Sequence, residues 1–322
     1  MSAAPVLEVR DLRTRFELHG GSLEVVRGVD LSLAAGEVLG LIGESGSGKT
    51  MTGLSILRLL PQNARASSAV IRFGGQDLRS LGEFDFDALR GRRMAMIFQN
   101  PVGAFNPAKR VAWHLREIIR RRRGDTSGWA NAGAAALADV GIPHPERVLR
   151  LYPHQLSGGM AQRVLIAMVM ALEPDLIIAD EPTTNLDNIV ERQIVRLFRR
   201  LRGRLNAAFL FITHDMALAK ILCDRIAVMY AGEIVETGPT RDLFAAPRHP
   251  YTQGLVATAL ALQGRAARLK EISGELPNLA APPPGCLFAP RCEHAFARCR
   301  ETAPPAYGDA DHPVRCYLAE GT

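Results

Sequence analysis

The sequence predicts an α/β fold, a parallel β-sheet covered by helices, followed by a small cysteine-rich lobe. Three observations carry this expectation. Short apolar runs alternate with helical-period stretches through residues 1–265, the arrangement that builds a parallel sheet with helices on its faces. One of these runs, Glu37 to Ile42, leads straight into a glycine-rich loop and then an apolar-periodic helix. Between Leu276 and Gly285 the composition turns to Pro and Ala (Ala280-Ala281-Pro282-Pro283-Pro284), which marks a linker. Cys286, Cys292, Cys299 and Cys316 follow it.

In chain order, Val6 to Arg10, Val25 to Leu33 and Glu37 to Ile42 read as short strands separated by turn residues. The helix after the glycine-rich loop is expected to run through Leu60. Ala69 to Phe73 and Met94 to Phe98 are further strands. From Pro107 to Leu151 the pattern is helical, with breaks at Gly124, Gly141 and Pro143. Strands return at Leu176 to Ala179, Ala208 to Thr213 and Arg225 to Tyr230, with helical stretches between them. No internal repeat interrupts this order.

The length, 322 residues, suits one large core with a small appendage. With 47% hydrophobic and 22% charged residues, the composition is that of a globular chain. The longest apolar run, Val164 to Leu172, stops at Glu173-Pro174, well short of the about 20 residues that cross a bilayer. Met1-Ser2-Ala3-Ala4-Pro5 has neither a basic flank nor an apolar block, so no secretory signal is expected. A net charge of +6 is compatible with nucleic acid or anionic lipid, but acidic residues are spread along the whole chain. The one dense basic run, Arg120 to Arg123, follows a helical pattern and reads as a solvated helix end. Charge therefore selects no function. Four of the five cysteines sit in the tail, and a cytosolic chain would keep them reduced. Cys223, beside Asp224, is expected in the core.

Three segments carry chemistry. Gly43-Glu44-Ser45-Gly46-Ser47-Gly48-Lys49-Thr50 fits the P-loop pattern between a strand and a helix. Its glycines let the backbone wrap phosphates closely, so that successive N–H groups point at the anion, and the helix start adds positive potential. Lys49 would neutralise β- and γ-phosphate charge, and Thr50 would ligate Mg²⁺. The run Leu176 to Ala179 ends in Asp180-Glu181, carboxylates that a buried strand delivers to the ligand-binding edge of such sheets. Asp180 would hold Mg²⁺ through water, and Glu181 would be the general base for the attacking water. Leu156-Ser157-Gly158-Gly159-Met160 opens a long apolar helix. Ser157 suits an N-cap, and a Ser-Gly-Gly helix start is also an anion site.

Taken together, these segments resemble the ABC-type ATPases. Ser157-Gly158-Gly159 is similar to the family's signature loop, with Met160 in place of Gln. The resemblance implies that Gln99 is the Q-loop residue near Mg²⁺ and the attacking water. It makes Thr183-Thr184-Asn185-Leu186-Asp187 the D-loop, with Asn185 where Ala is common, and His214 the switch histidine at the γ-phosphate. Nucleotide contacts are implied for Gly43 through Met51 (Gly43, Glu44, Ser45, Gly46, Ser47, Gly48, Lys49, Thr50 and Met51), for Gln99, and for Phe16 as the adenine-stacking ring. Ser157, Gly158, Gly159 and Asp187 would act on a nucleotide held by a second subunit, so that catalysis requires a dimer. The implied architecture is a P-loop nucleotide-binding domain over 1–265, with a parallel core, an antiparallel β subdomain and a helical subdomain near 107–170, then an extension over 266–322.

Within that family, fused membrane helices, long coiled coils and a second cassette are all missing, which leaves the importer subunits. Phe98-Gln99-Asn100-Pro101, Asn106-Pro107, Tyr152-Pro153-His154-Gln155, His249-Pro250-Tyr251-Thr252 and Gly285-Cys286 through Arg291-Cys292 resemble the dipeptide/oligopeptide and nickel importer group. This resemblance implies ATP and Mg²⁺, a homologous ATPase mate, two transmembrane permease subunits, an external solute-binding protein, no nucleic acid, and a peripheral position on the cytoplasmic face of the inner membrane. The tail cysteines lack the close pairs of zinc ribbons. Four thiolates can hold an iron–sulfur cluster, and the resemblance favours [4Fe–4S] with a structural role; zinc and simple packing are the alternatives. The competing functions are a soluble ABC ATPase linked to nucleic acid and a redox-responsive regulator using the cysteine tail.

Overall fold

The computed structural model describes residues 4–184, 186–203, 206–262 and 272–321. They form two compact units, one built on Asp77–Leu210 with Ala34–Glu37, the other on Leu7–Leu33, Val38–Gln76 and Phe211–Thr322. One of the points where the chain passes from one to the other falls within the strand Ala208–Thr213, whose residues are all buried. No helix among the described residues is long and apolar enough to cross a membrane.

In the first unit, strands Met94–Ile97 and Leu176–Asp180 pair in parallel, Met94 opposite Leu176 and Ile97 opposite Ala179. Every residue of both is buried, which is why they read as unbroken apolar runs. Helices Val111–Arg123, Trp129–Asp139 and Gly158–Leu172 pack together, with Gly133 against Leu115 and Leu149. The expected break at Gly124 is a left-handed cap with φ 86°, its N–H bonded to the Arg120 carbonyl. The basic run occupies the last turn, where the helix end favours cations. Its arginines are tied to neighbours: Arg120 to Glu117, Arg121 to Asp87 and the Arg90 carbonyl, Arg122 to Glu173 and the Leu172 carbonyl.

In the second unit, Leu7–Leu18 is flanked antiparallel by Gly21–Leu33 on one side and by Ala64–Ser67 and Val70–Phe73 on the other. A second set joins Val38–Ile42 and Arg225–Tyr230 in parallel, with Glu233–Pro239 returning antiparallel. The hairpin before Glu233 turns through Ala231 (φ 48°) and Gly232 (φ 89°), the positive pair that tight hairpins need. The cysteine-rich lobe docks on this returning strand: Thr237 N–H bonds the Pro313 carbonyl, Arg315 N–H bonds that of Val235, and Glu236 bridges to Val314. Leu287, Phe288, Val314 and Tyr317 are buried beneath it. At the centre of this junction the fully buried Glu236 carboxylate accepts the N–H groups of Arg248 and His249 and lies 2.8 Å from His312 Nε2.

Several element boundaries differ from the sequence expectation, among them the start of the second strand, at Gly21 rather than Val25. The first strand continues past Arg10 to Leu18, because Leu12 and Thr14 are buried while Arg13 and Arg15 face solvent. The helix after the glycine-rich loop stops at Ile56 rather than Leu60, where Arg58 turns to φ 51°. Cys223 is buried as expected, its Sγ where a Gly40 side chain would begin.

Candidate active site

The glycine-rich loop Gly43–Thr50 lies in the second unit. Val38–Ile42, wholly buried, delivers Gly43, and the helix Lys49–Ile56 begins at Gly48 in the left-handed conformation, φ 102°. A side chain on Gly43 would lie 2.1 Å from the Met229 carbonyl oxygen, and one on Gly48 would lie 2.5 Å from that of Val25. Both glycines are therefore demanded by close backbone approach. Lys49 is only 5% exposed, and its ammonium donates to the carbonyls of Gly43 (2.9 Å) and Glu44 (2.8 Å). Ser45, Gly46 and Thr50 are exposed, whereas Ser47 is buried. The loop is thus wound in place, with its cation held at its mouth.

Thr14 of the first strand hydrogen-bonds Ser55 of the loop's helix at 2.6 Å. Phe16, two residues on and half-buried, pairs across the sheet with Leu23 and Ala64. His214 is exposed just after the strand Ala208–Thr213, and Asp215 behind it caps the next helix through Ala217 and Leu218 N–H.

The carboxylates Asp180 and Glu181 lie in the first unit. Asp180 ends its strand only 3% exposed. Glu181 follows at φ 43°, a left-handed backbone that is uncommon for a non-glycine residue and clusters at functional sites. Its Oε2 accepts the Gln99 amide (3.1 Å) and the Thr184 hydroxyl (2.8 Å). One oxygen is thereby oriented by two neutral donors. Thr184 was seen in the sequence only as part of a loop; its hydroxyl three residues after an acid is the signal that would have marked it.

At the start of Gly158–Leu172, Ser157 Oγ accepts the Met160 N–H, so the N-cap reading holds. Ser157 and Gly158 are exposed, and nothing approaches the Gly158 side-chain position within 4 Å. Gly159 has Val190 2.8 Å from where its side chain would be. Asp187 is exposed and accepts the N–H groups of Ile189 and Val190, which caps Asn188–Arg202. Asn185 lies outside the described residues.

With this geometry in view, comparison with known proteins is decisive. Residues 26–184 match the ABC transporter family model and residues 235–299 the oligopeptide/dipeptide transporter C-terminal region. The dipeptide transport ATP-binding protein DppD of Bacillus subtilis (strain 168) is 40% identical over 318 residues, covering 98% of this chain and 95% of that protein. The chain belongs to the ABC transporter ATP-binding family. The oligopeptide transport ATP-binding protein OppD of Salmonella typhimurium (strain LT2) is 40% identical over 301 residues, 93% of this chain and 89% of that one. The dimeric structure of MJ0796, a bacterial ABC transporter cassette, has the same fold, with a TM-score of 0.66 at 23% identity over 73% of this chain and 99% of that one.

The C-terminal lobe of this ABC protein brings its four cysteines around one cavity. Cys286, Cys292, Cys299 and Cys316 line it together with Phe288 and Tyr317. All are free thiols. Burial pushes the Cys286 thiol up to about 11, and those of Cys292 and Cys316 in the same direction. Neighbouring His249, fully buried, is pushed down to about 3 by desolvation. The donor set and its apolar surroundings suit a thiolate-held group. Among the described residues, however, no cluster of three or more His, Cys, Asp or Glu is arranged to hold a metal ion. The expected four-cysteine iron–sulfur site is therefore present as a shared cavity and not as an assembled ligand set. The Cys286 N–H bonds the Cys299 carbonyl at 2.8 Å, tying two of the cysteine segments together.

Proposed function

We propose that this chain is the ATP-binding and ATP-hydrolysing subunit of an ABC importer for peptides or a related small solute. The observation that carries the reading is the Glu181 carboxylate, set at a left-handed turn directly after the buried Asp180 and aimed by Gln99 and Thr184. The loop Gly43–Thr50 cradles the triphosphate through its N–H groups and Lys49, with Met51 in the first turn beyond, and Phe16 stacks on the adenine. Oxygen donors at Thr50, Asp180 and Gln99 suit Mg²⁺, which would neutralise phosphate charge. Glu181 takes the proton of the attacking water, and His214 reports the γ-phosphate. Ser157, Gly158, Gly159 and Asp187 serve a nucleotide bound by a homologous mate, which is supported by the open space at Gly158.

The relatives named as dipeptide and oligopeptide transport proteins support the peptide class of cargo. On this reading residues 1–265 are the ATPase, with the helical subdomain near 107–170, and residues 266–322 the extension. The subunit sits on the cytoplasmic face of the inner membrane, bound to two permeases that receive solute from an external binding protein. Closure of two ATPase subunits on ATP, and reopening after hydrolysis, would rock those permeases. The shared cysteine cavity supports a [4Fe–4S] cluster held by Cys286, Cys292, Cys299 and Cys316, stabilising the lobe.

Native isolation of the tagged chain from detergent-solubilised membranes tests both propositions. Two hydrophobic permease chains and a second ATPase are expected, together with iron and acid-labile sulfide lost in Cys286→Ser. Nucleic acid in place of permeases, with turnover stimulated by it and steeply salt-dependent, would support the nucleic-acid-linked reading instead. A preparation without iron would remove the cluster and leave the transport reading standing.

A further inference from the structure

A carboxylate inside a phosphate loop is electrostatically awkward, and Glu44 is one. Its side chain is answered from the far end of the sequence. Arg291 Nη1 and Nη2 donate to Glu44 Oε2 and Oε1 at 2.8 and 3.0 Å, the two-pronged arrangement in which a guanidinium holds a carboxylate most firmly. The Arg291 side chain is 5% exposed and that of Glu44 31%, so water weakens this pair less than a surface one.

The guanidinium is itself fixed on its other sides. Nε donates to the Ser273 carbonyl (2.8 Å) and Nη2 to that of Ile272 (3.0 Å). It also lies over the rings of Tyr230 and Phe288, 5.7 and 6.0 Å from their centroids. Arg291 closes the short turn Ala289–Arg291 immediately before Cys292. Two further groups hold the same stretch of loop: the Tyr251 hydroxyl accepts the Glu44 N–H at 2.9 Å, and Leu276 packs 3.4 Å from the Gly46 side-chain position.

We propose that Arg291 is a positioning residue for nucleotide binding: from the cysteine-rich lobe it neutralises Glu44 and fixes the phosphate loop. The proposal rests on the reading of Gly43–Thr50 as the triphosphate cradle. Without Arg291, Glu44 presents an unpaired negative charge to the incoming phosphates, and the loop loses a two-bond tether. Removing both partners removes the repulsion, because a neutral amide replaces the carboxylate. An arginine that merely holds the lobe together would show no such relief.

The test is equilibrium binding of MgATP to the full-length chain, comparing wild type, Arg291→Met, Glu44→Gln and the double substitution. Arg291→Met is expected to weaken binding about tenfold, the order lost when a charged partner is left unpaired. Glu44→Gln lies in the cradle and sets its own baseline, and adding Arg291→Met to it is expected to change binding by less than about threefold. Arg291→Lys keeps the charge without the fork and falls between. If Arg291→Met does not fold, Arg291→Lys with and without Glu44→Gln gives the same comparison. Wild-type affinity in the Arg291 variant, or the same loss when Arg291→Met is added to Glu44→Gln, overturns this inference alone. A folded wild-type chain that takes up no MgATP overturns the cradle reading and this inference with it.

Discussion

Glu181→Gln is expected to cut steady ATP hydrolysis by about 10²–10⁴-fold while leaving MgATP binding intact, the loss typical when a general base is removed. The substitution is nearly isosteric. The glutamine oxygen can still accept from Gln99 and Thr184, which hold Glu181 Oε2 at 3.1 and 2.8 Å. What it cannot do is take a proton from water. Because both accepted bonds are kept, thermal stability should change little. Paired measurements of turnover and nucleotide affinity on the native assembly separate the two effects. Wild-type turnover in Glu181→Gln would show that another group activates the water.

Lys49→Ala is expected to weaken MgATP binding by about a hundredfold, the scale of a lost charge-assisted contact in a mostly buried site. Two consequences of the geometry add up here. The ammonium that would meet the phosphates disappears, and so do its bonds to the Gly43 and Glu44 carbonyls that draw the loop's ends together. Lys49→Arg should not rescue it. A guanidinium is planar and larger than an ammonium, and it would not reproduce the ammonium's bonds to the Gly43 and Glu44 carbonyls. Equilibrium titration with MgATP reads the affinity, and unchanged binding in Lys49→Ala would contradict the role given to this residue.

Much of the site was legible because its parts are local. Gly43 to Thr50 is a contiguous segment whose glycines answer backbone contacts, to Met229 and Val25, that any sequence with this loop must make. Asp180-Glu181 stands at the end of an apolar run, and Ser157 stands where a helix must be capped. The parts that were not legible depend on distant partners or on solvent-facing alternation. Leu12 to Leu18 looks polar because its outward residues are Arg13, Arg15 and Glu17. The Glu44–Arg291 pair joins positions 247 residues apart, and no pattern within either segment announces the other. The tail cysteines were read as one group by their crowding. Their shared cavity, lined also by Phe288 and Tyr317, agrees with that.

The claim on which the rest depends is that this chain holds ATP by itself but cleaves it efficiently only when a second subunit's Ser-Gly-Gly loop closes over the phosphates. The direct measurement is ATP turnover per subunit for the purified chain alone and for the same chain in its native membrane assembly, under conditions where both are saturated with MgATP. The account predicts turnover about a hundredfold higher in the assembly, the scale contributed by preorganised donors to phosphate charge. Equal turnover in the two preparations would contradict it.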